Sequence, residues 1–397
     1  MKKFLSIVLA LLMLAVMLPV VSLADDANYC TIEGVEGKFD TLTAAAKAWR
    51  ESKQIVTEGS TLGGHPAELT EVESIVWNIY GTVPAGDGAG VIGTSGSILS
   101  GGYITPSITI KNVTVNGYNN AIITKTGDPY VSCGANNVAF ANITFADTMR
   151  NDSNPGSLTF TNCTFKADLR MPHAGANSTL KVENCTFTGE VASDYAIFVQ
   201  GPNGGTMSNV VLSGNNISGY RRGVNVQAGS TATVSITGNT ITNLTGYTEN
   251  DQTYGAAIQL TTGGEFIITN NKIDVNTGNA FRFYSGLDAD VTISDNIIKA
   301  PYLVWNQAEL PNEKITSQDN KLTITNPNKA ATSDGALEDA TVIKAAPTQI
   351  VIITPAGDTP KTEPEKNPTT GANDMVAAAA ALMAVSALGM AVLSRKK

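Results

Sequence analysis

The stretch FTNCTFKADLRMPHAGANSTLKVENCTF, residues 160–187, begins and ends with almost the same six letters. The shared pattern is an apolar residue, any residue, then Asn, Gly or Asp, a variable residue, any residue and a second apolar residue. Its copies recur with an average step of about 26 residues. The copies begin at Ile110, Phe140, Phe160, Val182, Leu212, Ile236, Ile268, Ile293 and, more weakly, Ser317.

This period excludes several repeat architectures and favours one. The segments between the copies are short, rich in Val, Ile, Thr and Phe, and carry no amphipathic helix, which excludes leucine-rich and ankyrin arrays. One turn of a parallel β-helix fits the step, because a single turn cannot bury its apolar side chains and stacked turns about 4.8 Å apart share one core. We therefore predict an all-β fold, a parallel β-helix of about nine or ten turns.

The variable position changes character along the chain. Its residues in order are Val113, Ile143, Cys163, Cys185, Asn215, Asn239, Asn271, Asn296 and Asn320. The tight bend needs a residue that tolerates left-handed backbone angles, which favours Asn or Gly at that corner. Stacked amides can also bond one another along the axis. The run of five Asn resembles the asparagine ladder of the pectate-lyase-like right-handed β-helix, over residues 100 to 325, and implies that architecture rather than an activity.

Four cysteines raise the question of disulfides. Cys163 and Cys185 fall one turn apart in the same inward column, and their backbone spacing would permit a bond. Parallel neighbours hold their Cβ atoms slightly too far apart for a relaxed bond, so we predict two buried thiols. Cys30 and Cys133 stay unassigned.

Residues 25–100 are predicted to cap the first turn, because an exposed end would leave an open strand edge. A helix is expected after Lys38, with Asp40 as its cap. Its apolar face would comprise Phe39, Leu42, Ala45, Ala46 and Trp49. A strand is predicted over 74–81. The β-helix itself covers 101–325, and closing strands are predicted over 341–344 and 349–354, within 326–354.

Both ends of the sequence read as export and anchoring signals. Residues 1–24 begin with basic residues, continue with an apolar run and end with small residues, a pattern typical of a secretory signal that is cleaved before Asp25. An uncleaved membrane anchor is the alternative. Residues 355–366 form a tether too polar to fold. Residues 375–393 are uncharged and match a bilayer core of about 28 Å as a helix. The basic tail 394–397 is expected to stay in the cytoplasm.

A short motif precedes the apolar span. It consists of Asn367, Pro368, Thr369, Thr370 and Gly371. Motif, span and basic tail together resemble the cell-wall sorting signal of Gram-positive surface proteins, a substrate of sortase transpeptidases. The resemblance implies cleavage after Thr370, linkage to peptidoglycan and display on the cell surface, with membrane contact only through the precursor's C-terminal segment. Asn367 replaces the usual Leu, which leaves the sortase class open.

The charge and composition of the chain exclude several classes of binding partner and cofactor. The chain of 397 residues has net charge −9, and removal of both predicted signals leaves 21 Lys and Arg against 34 Asp and Glu, a net charge of −13. Phosphate binding needs clustered Lys and Arg, so nucleic acid is not expected as a partner. With two His and no CxxC pair, a structural zinc site is not expected either. No metal or other cofactor is predicted, with Ca²⁺ reserved for a lyase.

The resemblance also implies where a ligand would bind. β-helices of this superfamily often bind carbohydrate on one outer face, built here by segments 168–172, 196–200, 223–227, 256–260, 280–284 and 303–307. Alternation predicts Ile197/Val199, Val224/Val226, Ile258/Leu260 and Phe281/Phe283 inside. The predicted outward residues are Arg170, Phe198, Gln200, Asn225, Gln227, Gln259, Arg282, Tyr284 and Asn306. Such groups can bond sugar hydroxyls or carboxylates and stack on sugar rings, although a plain solvated face is the alternative.

Catalytic residues are sparse on this face. Glycoside hydrolysis needs two carboxylic groups, and only Asp168 and the neighbouring Asp194 qualify. A lyase needs a base and usually Ca²⁺ held by acidic oxygens. Weak candidates for a catalytic role are Arg170, Arg222, Arg282 and His173, while Glu249 and Asp251 are assigned to a solvated loop. We therefore expect an adhesin-like surface protein that binds carbohydrate or host and matrix ligands, with a polysaccharide lyase or glycoside hydrolase as the alternative.

Overall fold

The structure is a computed structural model. It describes residues 28–54, 68–85, 91–92, 109–124, 132–133, 136–151, 156–172, 175–190, 194–201, 205–249, 252–326, 329–331, 337–339 and 349–351. All of these belong to one unit, residues 1–353; the second unit, 354–397, contains none of them. The predicted signal, tether, sorting motif, apolar span and the strand over 341–344 thus lie outside the described residues. None of the helical segments in the described ranges has the length and apolarity that a membrane-spanning helix requires.

Within the described residues, the regular elements are one α-helix, one short 3-10 helix (Asn312–Lys314) and many strands. The helix is α1 (Leu42–Ser52). The strands are β1 (Tyr29–Ile32), β2 (Glu71–Pro84), β3 (Val91–Ile92), β4 (Thr109–Thr124), β5 (Ser132–Cys133), β6 (Asn137–Ala141), β7 (Thr144–Phe145), β8 (Met149–Asn151), β9 (Ser157–Thr161), β10 (Thr164–Phe165), β11 (Leu169–Pro172), β12 (Thr179–Glu183), β13 (Thr186–Phe187), β14 (Tyr195–Gln200), β15 (Asn209–Ser213), β16 (Asn216–Ser218), β17 (Arg222–Gln227), β18 (Thr233–Thr237), β19 (Thr240–Thr242), β20 (Tyr247–Glu249), β21 (Gln252–Tyr254), β22 (Ala256–Thr262), β23 (Glu265–Thr269), β24 (Lys272–Asp274), β25 (Asn279–Phe283), β26 (Asp290–Ser294), β27 (Ile297–Ala300), β28 (Tyr302–Asn306), β29 (Ile315–Gln318), β30 (Lys321–Ile324), β31 (Lys329–Ala331), β32 (Leu337–Asp339) and β33 (Gln349–Val351).

Most strands form three parallel stacks, which we call faces. The first face contains β6, β9, β12, β15, β18, β23, β26 and β29, and the second face contains β7, β10, β13, β16, β19, β24, β27 and β30. The third face contains β8, β11, β14, β17, β22, β25 and β28. Neighbours pair in parallel, with each repeat copy opposite the next; Phe160 lies opposite Val182, and Val182 opposite Leu212. The all-β fold with stacked turns is therefore the predicted parallel β-helix.

The stack is closed at its ends by additional strands. The long strands β2 and β4 pair in parallel with each other, and β4 also pairs in parallel with both β6 and β7. Because β2 lies within residues 25–100, the parallel stack already begins there. β1 adds to β2 in antiparallel orientation and thus covers the first open edge. At the other end β33 pairs with β30, as expected of a closing strand within 349–354.

The helix α1 covers the N-terminal end of the core with the predicted apolar face. Leu42, Ala45, Ala46 and Trp49 are buried, and Phe39 packs against them. The cap is Thr41, whose Oγ1 accepts a hydrogen bond from the Ala44 amide at 3.0 Å. The prediction of Asp40 as cap was wrong by one residue, because the helix begins at Leu42 and the cap must immediately precede it.

Aromatic stacks fill the core beside the first repeats. Phe140 lies on Phe160 with ring centroids 5.1 Å apart, and Phe145, Phe165 and Phe187 form a second stack with centroid distances of 5.0 and 4.6 Å. All five rings are fully buried. Within each stack, the rings come from the same position of successive turns, so the repeat itself produces the stacks.

The five ladder asparagines form one buried, hydrogen-bonded column. The Nδ2 of Asn215, Asn239, Asn271 and Asn296 each donates to the Oδ1 of the next Asn at 2.9–3.0 Å. Positive φ angles fall on the preceding residue of the pattern, such as Gly214 at 65°, and not on the ladder residue. The turn-forming and the bonding tasks are thus divided between two adjacent positions, because only the inward side chain can join the column.

Cys163 and Cys185 occupy the same column and are free thiols, as predicted. Their Sγ atoms donate to the carbonyls of Phe140 at 3.7 Å and Phe160 at 3.6 Å, which corresponds to the bond between Asn215 Nδ2 and the carbonyl one turn back. The neighbouring thiol and burial raise the pKa of Cys185 well above its ordinary value. Cys185 is therefore a protonated donor within the column, whereas the hydrogen bond from Cys185 lowers the pKa of Cys163. Cys30 is also free and buried, so it has no disulfide to Cys133.

Candidate functional site

The third face is the sheet that the sequence assigned to ligand binding. All six predicted segments are strands in it, in the order β28, β25, β22, β17, β14, β11, and a seventh strand, β8, follows. The predicted inward residues are buried. Sequence reasoning missed β8, although Met149–Arg150 repeats Leu169–Arg170 at the same 20-residue spacing that separates Phe140 from Phe160.

One outward row crosses the whole sheet in register. It consists of Arg150, Arg170, Phe198, Asn225, Gln259, Arg282 and Trp305. Arg150 and Trp305 were not among the predicted residues. Asn306 was predicted to face outward, but it lies opposite the inward Phe283, and its side chain bonds the backbone of Leu310. The sequence-based alternation was one residue out of phase in β28.

Exposure divides this row. Arg170 has 47% of its side chain exposed and Phe198 is half-buried, whereas Asn225, Gln259 and Arg282 are only 3%, 4% and 8% exposed. A second outward row is accessible, two residues further along the chain than the first row, or three residues further at the strand β22. It consists of Gln200, Gln227, Thr262 and Tyr284. A bulge after Val226 brings Gln227 opposite Thr262.

The buried part of the first row is a connected polar network. Tyr195 Oη donates to Gln259 Oε1 at 3.0 Å and accepts from Arg222 Nη1 at 2.6 Å. Thr261 Oγ1 accepts from Gln259 Nε2 and donates to Asn225 Oδ1, at 3.3 and 2.8 Å. Burial raises the pKa of Tyr195, although the nearby Arg222 opposes this, so the phenol is neutral and can donate.

Two arginines of this network are held by aromatic rings. The Arg282 guanidinium lies 4.2 Å from the Trp305 ring centroid and 4.8 Å from that of Tyr284, and its Nη2 donates to Gln307 at 2.8 Å. Cation–π contact and hydrogen bonds therefore fix it under the surface. Arg222 lies 4.9 Å from the Tyr195 ring and 3.3 Å from the Asp194 carboxylate. Neither guanidinium is arranged as a proton acceptor, since Arg stays charged in proteins.

A pocket of about 260 Å³ opens at the other end of the row. Its lining residues are Arg150, Asp168, Arg170, Asp194, Tyr195 and Phe198. The buried Asp168 accepts from Thr148 Oγ1 at 2.5 Å and from Arg170 Nε at 3.0 Å. Because Asp168 holds only Nε, the outer Nη atoms of Arg170 have no hydrogen-bond partner among the described residues. The pocket thus offers a guanidinium edge beside two aromatic rings, which lie 5.9 Å apart.

The pocket also joins two carboxylates that the sequence placed in separate segments. Asp168 precedes β11 and Asp194 precedes β14, and stacking of the turns brings both to one rim. Both carboxylate oxygens of Asp168 already accept hydrogen bonds, from Thr148 and from Arg170. The two carboxylates therefore do not fit a Ca²⁺ site, which needs several acidic oxygens. Among the described residues no three His, Cys, Asp or Glu side chains cluster. His173 and Asp251, and the side chain of Glu249, lie outside the described residues.

Comparison with known proteins identifies the architecture. Residues 148–326 match the family model described as a right-handed beta helix region. The stacked parallel strands are therefore those of a right-handed parallel β-helix. The matched range contains every strand of the third face, from β8 to β28. No curated protein and no solved structure matches the chain. The family description names an architecture and no activity, so function must be argued from the site itself.

Proposed function

We propose that this is a surface protein, displayed on a Gram-positive cell wall, whose third face binds carbohydrate without chemical turnover. The observation that carries the binding proposal is the in-register outward row that ends in the pocket around Arg170 and Phe198. A half-exposed guanidinium can donate paired hydrogen bonds to a carboxylate or to sugar hydroxyls. The adjacent rings of Phe198 and Tyr195 supply the apolar surface on which a sugar ring stacks.

The rigidity of the site also supports binding. Arg170 is aimed by the buried Asp168, and the accessible Gln200 and Gln227 stand on strands that pair in register. The Arg170 side chain, which is held in this way, loses little conformational entropy when a ligand arrives. The buried members of the predicted set, Asn225, Gln259 and Arg282, then act as support beneath the accessible residues rather than as direct ligand contacts.

A polysaccharide lyase or glycoside hydrolase is the second candidate. The observation that favours it is the presence of Asp168 and Asp194 at one pocket, since glycoside hydrolysis uses two carboxylic groups. Binding without turnover is the stronger proposal, because Asp168 is engaged with Thr148 and Arg170. The pocket's arginines cannot serve as bases at ordinary pH.

Binding and turnover are separated by one set of measurements on the purified full chain. A glycan array should show binding to carbohydrates, and Arg170→Gln should weaken it about tenfold or more by removing a charge-assisted contact. Lys321→Gln, an exposed cation on the second face, is the matched control and should leave binding unchanged. A blank array would contradict carbohydrate binding. Unsaturated products or new reducing ends that vanish in Arg170→Gln would replace binding by catalysis.

Display on the wall rests on the sequence motif from Asn367 to Gly371 and the apolar span after it. We propose that a sortase cleaves after Thr370 and joins the protein to peptidoglycan. In the native host, Thr370→Ala should move the protein from the wall fraction to the membrane and the medium, whereas Thr369→Ala, at the variable position of the motif, should not. Wall linkage that persists in Thr370→Ala would refute the sorting assignment.

A further inference from the structure

Cys163 and Cys185 are buried nucleophilic groups that take no part in the carbohydrate site. They occupy successive positions of the inward column, and the strands β10 and β13 that directly follow them pair in register. The Cys185 thiol donates a hydrogen bond to the Cys163 sulfur, so the two sulfur atoms contact each other. The next positions of the column are Ile143 and Asn215, which carry no thiol. Each cysteine therefore has one possible partner within the column.

The two thiols differ in reactivity, because the thiolate and not the thiol is the nucleophile. The hydrogen bond from Cys185 lowers the pKa of Cys163, and backbone amides that point at its sulfur act in the same direction. The same contact and burial raise the pKa of Cys185. Burial also raises the pKa of Cys30, to about 12. Among these three thiols, Cys163 is therefore the one that most readily supplies a thiolate.

The pair lies only one residue below the surface. Asn162 and Asn184, which directly precede the two cysteines, are exposed and form the corner between the first and second faces, with φ angles of 54° and 55°. Thr164 and Thr186, which follow, are half-buried. A small uncharged oxidant such as hydrogen peroxide thus has to cross one layer of backbone, and local opening of the corner is sufficient for this.

The spacing of the strands determines what kind of disulfide the pair can form. Neighbouring parallel strands are about 4.8 Å apart, which lies within the range of Cα separations that disulfides span. Side chains of the same column run side by side, so their Cβ atoms keep nearly this spacing, whereas a relaxed disulfide needs about 3.5–4.5 Å. A bond between Cys163 and Cys185 must therefore pull the corner together. Strained disulfides are reduced easily, so this oxidation is reversible.

We propose that Cys163 and Cys185 form a reversible oxidation site for a small peroxide. The Cys163 thiolate attacks one oxygen of hydrogen peroxide; an S–O bond forms, the O–O bond breaks, and the leaving hydroxide takes up a proton to become water. The Cys185 sulfur then attacks the Cys163 sulfenic acid; the S–S bond forms, the S–O bond breaks, and the departing hydroxide leaves as water with the Cys185 proton. Two thiols and one peroxide thus give one disulfide and two waters. This inference does not depend on carbohydrate binding.

The test uses the full chain carrying Cys133→Ser, because the Cys133 side chain lies outside the described residues. The protein is treated with hydrogen peroxide, denatured and alkylated, and its peptides are analysed by mass spectrometry. Two free thiols should be lost and one linked pair of peptides should appear, joining Cys163 to Cys185. Cys30 should remain alkylated, and dithiothreitol should restore both thiols.

Serine variants separate the roles of the two cysteines. In Cys185→Ser the reaction should stop at a sulfenic acid on Cys163, which dimedone traps. In Cys163→Ser the remaining Cys185 should be oxidised about tenfold or more slowly, because it lacks thiolate character. Cys30→Ser is the matched control, a buried thiol outside the column, and should change neither the rate nor the product.

The opposite results would contradict the proposal directly. If the column thiols survive a peroxide treatment that oxidises free cysteine, or if Cys30 reacts as fast as they do, the pair is only packing. Conversion of Cys163 to sulfinic or sulfonic acid without a disulfide would exclude Cys185 as its partner. If a serine variant fails to fold, as judged by circular dichroism, the peptide analysis of the parent protein alone decides between these outcomes.

Discussion

Replacing Asn271 by Ala is expected to lower the free energy of unfolding by about 3–5 kcal/mol. Asn271 is at the centre of the ladder and is 1% exposed. Its Nδ2 donates to the Ile236 carbonyl at 2.7 Å and to Asn296 Oδ1 at 3.0 Å, and its Oδ1 accepts from the amide and the Nδ2 of Asn239. Alanine leaves the buried Asn239 amide without an acceptor, and each such orphaned group costs about 1–3 kcal/mol.

Urea denaturation followed by circular dichroism measures this loss. Asn216→Ala is the matched control, because Asn216 is one residue from the ladder but exposed on the second face. Its effect should stay within about 0.5 kcal/mol. A loss below about 1 kcal/mol in Asn271→Ala would mean that the ladder does not stabilise the stack in the way its hydrogen bonds indicate.

Phe165→Ala is expected to be about as damaging, again about 3–5 kcal/mol. The Phe165 ring lies between Phe145 and Phe187 at centroid distances of 5.0 and 4.6 Å, and it meets Phe160 edge to face with the centroids 5.5 Å apart. Its removal opens a cavity that cannot collapse, because strands paired on both sides hold β10 in place. The lost stacking contacts and the empty volume therefore add.

Phe198→Ala provides the comparison for this second substitution. Phe198 has the same side chain, but it points outward from the third face and is only half-buried. Its replacement should cost about 1 kcal/mol or less in the same denaturation experiment. If the two substitutions were equally destabilising, the aromatic core would not be the main source of stability that its burial indicates.

Repetition explains why so much of the fold could be predicted from the sequence. In a β-helix, residues one period apart are neighbours in space, so Phe160 and Val182 can be paired before any coordinates are seen. The helix cap shows the limit of this argument. Asp40 and Thr41 are both good caps, and the choice depended on where the helix begins, which is decided by how Leu42 packs into the end of the core.

The candidate site was predicted less completely, for an equally physical reason. Alternation along a strand determines which side chains face outward, and it placed Arg170, Phe198 and Tyr284 on one face. It does not determine exposure. Gln259 is buried because Tyr195, 64 residues earlier, bonds to it across the sheet, and Arg282 because Trp305 and Tyr284 enclose it. These contacts depend on the loops between turns, whose lengths vary.

The sequence by itself determined the period and the inward column of Asn and Cys, because both depend only on which residue types recur at a fixed spacing. Only the tertiary structure decided which outward side chains remain accessible. Stacking brought Asp168 and Asp194 to one pocket and buried Asn225, Gln259 and Arg282 beneath their neighbours. The accessibility of an outward side chain depends on contacts with residues far away in the chain, whereas the repeat pattern can be recognised within each single turn.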